Sequence, residues 1–222
     1  MIKAVLFDLD QTLIDFLGMK KKASKKAATA MIKAGLKLDK RKAGEKLFDF
    51  YLKHGIDSDT AFTEFIKKVN GKLNYKILAA GINAYLSAKL IGPYTNVKPT
   101  LKKLKRKRIK LGIVTDAPVL KAWKRLNAMG LDDMFDVVVA FEDTKKKKPH
   151  QLPFKLASKR LKIRPEDVLF VGDWPERDIQ GAKKAGMKTV FAKYGGKRSR
   201  CNADYIIDDI KEILDIIDKM RF

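Results

Sequence analysis

The sequence predicts an α/β protein: a doubly wound parallel sheet with a four-helix bundle inserted after the first strand. Three observations carry this. Short apolar runs alternate with amphipathic segments after Pro93, as in strands buried on both faces and joined by right-handed helical crossovers. The stretch from Phe16 to Ile91 instead has the i, i+3, i+4 spacing of helices throughout. Several apolar runs also end in aspartate, so acidic residues gather on one edge of a parallel sheet.

The first run, Ile2 to Phe7, has the composition of a buried strand and stops at Asp8-Leu9-Asp10-Gln11-Thr12. Four helices follow. Ala27, Met31 and Ala34 form one stripe, with Gly35 to close it; Leu47, Phe48, Tyr51 and Leu52 form a second, closed by Gly55. Phe62, Phe65, Ile66 and Val69 form a third before Gly71, and Ile77, Leu78, Ile82, Tyr85 and Leu86 a fourth. Four such helices in series make a small bundle. Residues 1–15 with 92–222 are therefore expected as the core domain, and 16–91 as a helical insert. It leaves the sheet at a strand's carboxyl end, a suitable place for a lid over a site.

After Pro93 a basic helix near Lys98 to Lys107 leads to strand Lys110 to Thr115. Helix Pro118 to Met129 has Val119, Leu120, Trp123 and Leu126 as its expected core stripe and Gly130 as its stop. Strand Val137 to Ala140, helix Gln151 to Leu161 and strand Val168 to Val171 follow. Then come helix Arg177 to Ala185, strand Thr189 to Ala192, and strand Tyr205 to Ile207 before a last helix. The Gly195-Gly196 pair reads as a plain loop. His150 reads as a helix starter, and His54 as the solvated end of an insert helix.

Composition narrows the function classes. No apolar run approaches a membrane span, and Asp8 and Asp10 interrupt any signal-peptide pattern, so a soluble cytoplasmic protein without a membrane partner is expected. The single cysteine, Cys201, permits neither an internal disulfide nor a cysteine metal cluster. The net charge is +23, with no acidic residue between Glu64 and Asp116. Such a field steers small anions. It also raises a nucleic-acid partner, but the basic runs lack interleaved aromatics and any zinc or helix-turn-helix spacing. Lys20, Lys21 and Lys22, where the chain enters the insert, read equally as a contact for an anionic substrate and as a solvated basic face. Self-repulsion fits a monomer, and a homodimer stays open.

The chemistry lies at the strand ends. Asp8 and Asp10 close the first strand, Thr115 and Asp116 the second, and Asp173 another, with Asp178 five residues on. Carboxylates gathered on one edge repel, and a hard divalent cation such as magnesium relieves this. Lys148 precedes the helix that feeds the Asp173 strand and can reach the same edge.

In these motifs the chain resembles the haloacid dehalogenase superfamily, on the branch with a helical cap inserted after the first strand, like the phosphoglycolate and glyceraldehyde-3-phosphate phosphatases. The matching segments are Asp8-Leu9-Asp10-Gln11-Thr12-Leu13, Ile113-Val114-Thr115-Asp116, Lys148-Pro149-His150, and Val171-Gly172-Asp173 through Asp178. The resemblance implies a Rossmann-like core and a Mg2+-dependent phosphatase acting on a small phosphorylated metabolite. Asp8 would be the nucleophile and Asp10 the general acid and base. Thr115, Asp116 and Lys148 would bind phosphate. Asp8, Asp173 and the Asp10 carbonyl would hold the metal, with Asp178 behind them. Asp10 argues against carbon–halogen cleavage, whose family members lack it. A phosphomutase of the same fold remains an alternative, as does a basic nucleic-acid-binding protein on a retired scaffold. Two departures stand out: Gln11 replaces a frequent glycine or acid, and Trp174-Pro175 follows Asp173 where a small hydroxyl residue is common.

Overall fold

Short runs of Val, Ile, Leu and Phe build one all-parallel six-stranded sheet in the order β3-β2-β1-β4-β5-β6. The strands are β1 (Ala4–Phe7), β2 (Lys110–Val114), β3 (Val137–Val139), β4 (Val168–Gly172), β5 (Lys188–Ala192) and β6 (Tyr205–Ile207). The structure is a computed structural model and describes residues 1–88, 92–196 and 201–220. All residues of β1 and β4 are buried, as expected where a sheet is covered on both faces. β1 pairs with β2 on one side and β4 on the other, with Phe7 opposite both Ile113 and Val171. The winding therefore reverses between β1 and β4, and the crevice beyond their carboxyl ends is where open α/β sheets place ligands.

The chain divides into two compact units, Met1–Asp15 with Ile91–Phe222, and Phe16–Leu90. The second unit contains α1 (Phe16–Lys33), α2 (Lys40–His54), α3 (Ala61–Asn70) and α4 (Tyr75–Leu86). Its core is built from Ala27, Met31, Leu47, Phe50, Ile66 and Ile77 with their neighbours. Asp39 accepts a hydrogen bond from Arg41 N at 2.7 Å, and Asn74 accepts one from Ile77 N at 3.2 Å, so two helices start on side-chain caps. The expected return to the core domain at Ile91 lies outside the described residues.

The first unit contains α5 (Val97–Arg106), α6 (Val119–Met129), α7 (Phe141–Thr144), α8 (Leu152–Leu161), α9 (Gln180–Lys184) and α10 (Ile213–Lys219). Phe154 and Ala157 of α8 and Ala182 of α9 pack on one sheet face with Leu6 and Phe170. A π-helical turn, Pro175–Ile179, precedes α9. No helix among the described residues is long and apolar enough to cross a membrane.

Several expected stripes are corrected. On α6 the buried residues are Ala122, Arg125, Leu126 and Met129, whereas Val119, Leu120 and Trp123 are exposed. The inward face carries an arginine, so hydrophobicity alone selected the neighbouring stripe. On α2, Phe50 is buried and Leu52 exposed; on α4, Ile82 and Leu86 are exposed. Where apolar residues are adjacent, local spacing offers two faces, and packing partners choose one. Lys20 is no solvated lysine: it is buried, its ammonium 3.8 Å from the centre of the Tyr51 ring and 5.2 Å from that of Tyr85. His54 is exposed, as expected, but its ring stacks on Phe50 with centroids 3.7 Å apart.

Candidate active site

Asp8 is the first residue past β1. Its N–H donates to Val171 O at 2.9 Å, which extends the β1–β4 ladder and fixes the residue beside β4. The chain then turns tightly. Gln11 N donates to Ile14 O at 2.7 Å and Leu13 N to Leu9 O at 2.9 Å. Gln11 takes φ +62° to make the turn, a conformation costly for most side chains. Thr115 leaves β2 with its N–H on Val139 O at 2.9 Å and its hydroxyl oxygen accepting from Ala117 N at 3.2 Å. Asp173 follows β4. Asp178, on the π-helical turn, accepts from Trp174 N at 3.0 Å, so the turn aims this carboxylate back at the sheet end.

Lys148 arrives from the segment after α7. Its N–H donates to Asp116 Oδ1 at 2.9 Å, which ties the segment to the end of β2. The other Asp116 oxygen pairs with the Arg177 guanidinium, which also stacks on the Trp174 indole with its centre 4.5 Å away. The buried Lys148 ammonium lies 2.6 Å from Asp8 Oδ1 and 2.6 Å from Asp178 Oδ1, and donates to Val114 O at 3.2 Å.

Asp8, Asp173 and Asp178 each bring a carboxylate oxygen within 4.8 Å of the others, and all three residues are buried. One ammonium cannot neutralise three carboxylates, and the remaining negative charge is expressed as proton affinity. Burial, and then repulsion from Asp8 and Asp178, pushes Asp173 up to about 9. Burial raises Asp178 to about 6, opposed by Lys148 and reinforced by Asp8. Burial alone would weaken the Lys148 ammonium, but Asp178 and Asp8 together outweigh it and hold the proton more tightly than usual. Such a site favours a cation.

Asp8, Lys148, Asp173 and Asp178 thus converge. Thr115 is buried at the end of the adjacent strand β2. Asp10 is outside the three-carboxylate group; its Oδ2 accepts from Arg125 Nη1 at 2.6 Å. Asp116, expected among the phosphate-binding residues, has its carboxylate engaged by the Lys148 N–H and the Arg177 guanidinium. His150, as expected, starts a helix: its Nδ1 accepts from Leu152 N at 3.1 Å.

Sequence reasoning missed three residues. Gly195 is buried, and a Cβ there would lie 2.3 Å from Asp173 Cβ and 2.5 Å from Gln11 O. Its own carbonyl accepts from Gln11 Nε2 at 3.1 Å, so the loop after β5 closes directly on the site. Only a residue without a side chain permits this approach. Tyr194, beside it, donates its hydroxyl to Thr12 O at 2.9 Å. Arg125 is the third. A glycine pair after a strand was visible, but no local signal showed what the loop touches.

The 3-2-1-4-5-6 parallel sheet thus carries a buried lysine and three buried carboxylates at its switch point, a donor set that could hold a divalent cation. The family model described as haloacid dehalogenase-like hydrolase matches residues 5–192, and the chain belongs to that family. It is 35% identical, over all of its length and 99% of the relative's, to a glyceraldehyde 3-phosphate phosphatase of Methanocaldococcus jannaschii. A protein of the same name from Pyrococcus furiosus is 33% identical over 98% of this chain and 94% of its own. The crystal structure of a HAD phosphatase from Thermococcus onnurineus superposes with a TM-score of 0.68 at 31% identity, covering 97% of this chain and 98% of its own. The chain is accordingly an enzyme, a hydrolase of the phosphatase type within this family.

Proposed function

We propose that this enzyme is a magnesium-dependent phosphatase that hydrolyses a small three-carbon phosphate monoester through a phosphoryl group carried on Asp8. The observation that carries this reading is the buried carboxylate of Asp8 at the switch point, 2.6 Å from Lys148 and grouped with Asp173 and Asp178. The full-length relatives named glyceraldehyde 3-phosphate phosphatase support the three-carbon class.

The donor set fits a hard divalent cation. Asp8 and Asp173, with the Asp10 carbonyl, would hold Mg2+ by oxygen atoms alone, and Asp178 would orient the assembly from behind. When bound, the ion supplies charge neutralisation between an anionic nucleophile and an anionic phosphate. The Lys148 ammonium and the Thr115 hydroxyl bind non-bridging phosphate oxygens. The Thr115 oxygen already accepts a hydrogen bond, which leaves its hydrogen to be donated.

Asp8 attacks phosphorus and the bond to the ester oxygen breaks, while Asp10 gives the departing alkoxide a proton. The acyl phosphate on Asp8 is then hydrolysed. Asp10, now ionised, takes a proton from water, the water oxygen bonds to phosphorus, and the Asp8 carboxylate is released with inorganic phosphate. The helical insert supplies substrate selectivity, and the expected setting is the cytoplasm.

The test is release of inorganic phosphate from p-nitrophenyl phosphate and from glyceraldehyde 3-phosphate, with Mg2+, with EDTA, and with Asp8→Asn. Turnover by wild type with metal alone, and none by Asp8→Asn, is expected. Equal rates for Asp8→Asn and wild type would remove the nucleophile assignment. An isomer in place of inorganic phosphate would identify a mutase.

A further inference from the structure

Arg125 is the one cationic residue on the buried face of α6, between Ala122 and Leu126 and one turn before Met129. Its side chain is 6% exposed, against 24% for its partner, Asp10. Withdrawing a guanidinium from water costs several kcal/mol, so Leu or Met would serve packing better at this inward position. The arginine is explained by what it touches: Nη1 donates to Asp10 Oδ2 at 2.6 Å. The two residues are 115 apart in sequence. Asp10 itself sits in the tight turn fixed by the Gln11 N–Ile14 O and Leu13 N–Leu9 O bonds. The backbone of Asp10 is thereby set, and the contact with Arg125 acts on its side-chain torsions.

We infer that Arg125 is a positioning residue that holds the Asp10 carboxylate in the orientation from which it serves the leaving-group oxygen. The inference rests on the reading of Asp10 as general acid and base. A guanidinium suits this task because it stays protonated throughout the working pH range. It fixes the carboxylate without exchanging protons with it. α6 starts at Val119, after the short Asp116-Ala117-Pro118 link from Thr115, so one segment connects a phosphate-binding residue to the residue that sets the acid–base group.

The experiment compares kcat/KM for an alkyl ester, glycerol 3-phosphate, with that for p-nitrophenyl phosphate, whose leaving group needs little protonation. General acid catalysis is worth roughly 10²–10⁴-fold, so losing its aim should tell on the alkyl ester. In Arg125→Met the alkyl-to-aryl ratio is expected to fall by about tenfold or more. Arg125→Lys should recover part of it. Asp10→Asn should show the same selective loss, and adding Arg125→Met to Asp10→Asn should lower the ratio no further. A ratio equal to wild type in Arg125→Met would overturn the inference, as would a further fall in the double variant. If Arg125→Met does not fold, Arg125→Lys and the double variant, which removes both charges, decide the same question. If Asp10→Asn itself leaves the ratio unchanged, the role given to Asp10 fails instead.

Discussion

Two glycines, one in each unit, show how differently the two are built. At Gly195 a Cβ would meet Asp173 Cβ at 2.3 Å and the Gln11 carbonyl at 2.5 Å. Both belong to segments pinned by the sheet and its hydrogen bonds. At Gly81 on α4 a Cβ would meet the Met31 side chain, with Cε at 2.1 Å and Cγ at 2.8 Å. Methionine is unbranched and adaptable, so that obstacle can move. In the sheet unit, the glycine faces buried charge held on pinned backbone; in the helical unit, it faces an adaptable apolar side chain. The first arrangement fits a site that must keep its geometry, and the second fits an element free to vary.

The largest expected effect lies at the centre of the rigid region. Asp8→Asn removes the nucleophile, and turnover of p-nitrophenyl phosphate should fall by about 10⁴-fold or more, as for comparable nucleophile deletions. Gly195→Ala should come next. Displacing Asp173 by even about 1 Å should lower kcat roughly 10²-fold, read in the same assay. Gly81→Ala tests the other half of the comparison. The strain of overpacking, about 1–3 kcal/mol, is partly offset by a helix-propensity gain of about 1 kcal/mol. Its activity should stay close to wild type, and its urea midpoint should shift only modestly. If Gly195→Ala were as mild as Gly81→Ala, the contrast would be wrong.

A pH titration sharpens the same contrast. In EDTA the raised Asp173 carboxyl, at about 9, lies above its unfolded value. Its protonated form is therefore favoured by folding. That contribution is complete below the unfolded pKa and is lost as pH rises through the folded one. Thermal midpoints of the metal-free protein should fall between about pH 4 and pH 9, while Asp173→Asn should flatten the profile and Mg2+ should oppose the fall. The smallest effect is expected at Lys20→Met in the helical unit. Loss of a cation–π contact worth about 1–2 kcal/mol is set against relief from burying an ammonium, so the net change in denaturation midpoint should be small.

Much of this was legible in order along the chain. Asp8 and Asp173 stand out because strand ends put them on one edge, which a parallel sheet makes common to all strands, and Lys148 because it precedes the helix that feeds the Asp173 strand. The residues that were not legible act through contacts remote in sequence. Arg125 sits 115 positions from Asp10, and its helix offers the more hydrophobic stripe Val119, Leu120, Trp123 to any periodicity search. Lys20 belongs to a run of lysines, and only the Tyr51 and Tyr85 rings distinguish it. Gly195 looks like any loop glycine until Asp173 is placed against it.

The sequence by itself determined the parallel sheet, the helical insert and the acidic edge, because periodicity and strand-end chemistry are local and repeat along the chain. Tertiary structure alone decided three further things: which face of α6 turns inward, that Asp116 grips the Lys148 backbone and Arg177, and that one ammonium is shared between Asp8 and Asp178. Those outcomes depend on distances between segments far apart in sequence, and charge burial has an energy only once the neighbours that desolvate and pair it are in place.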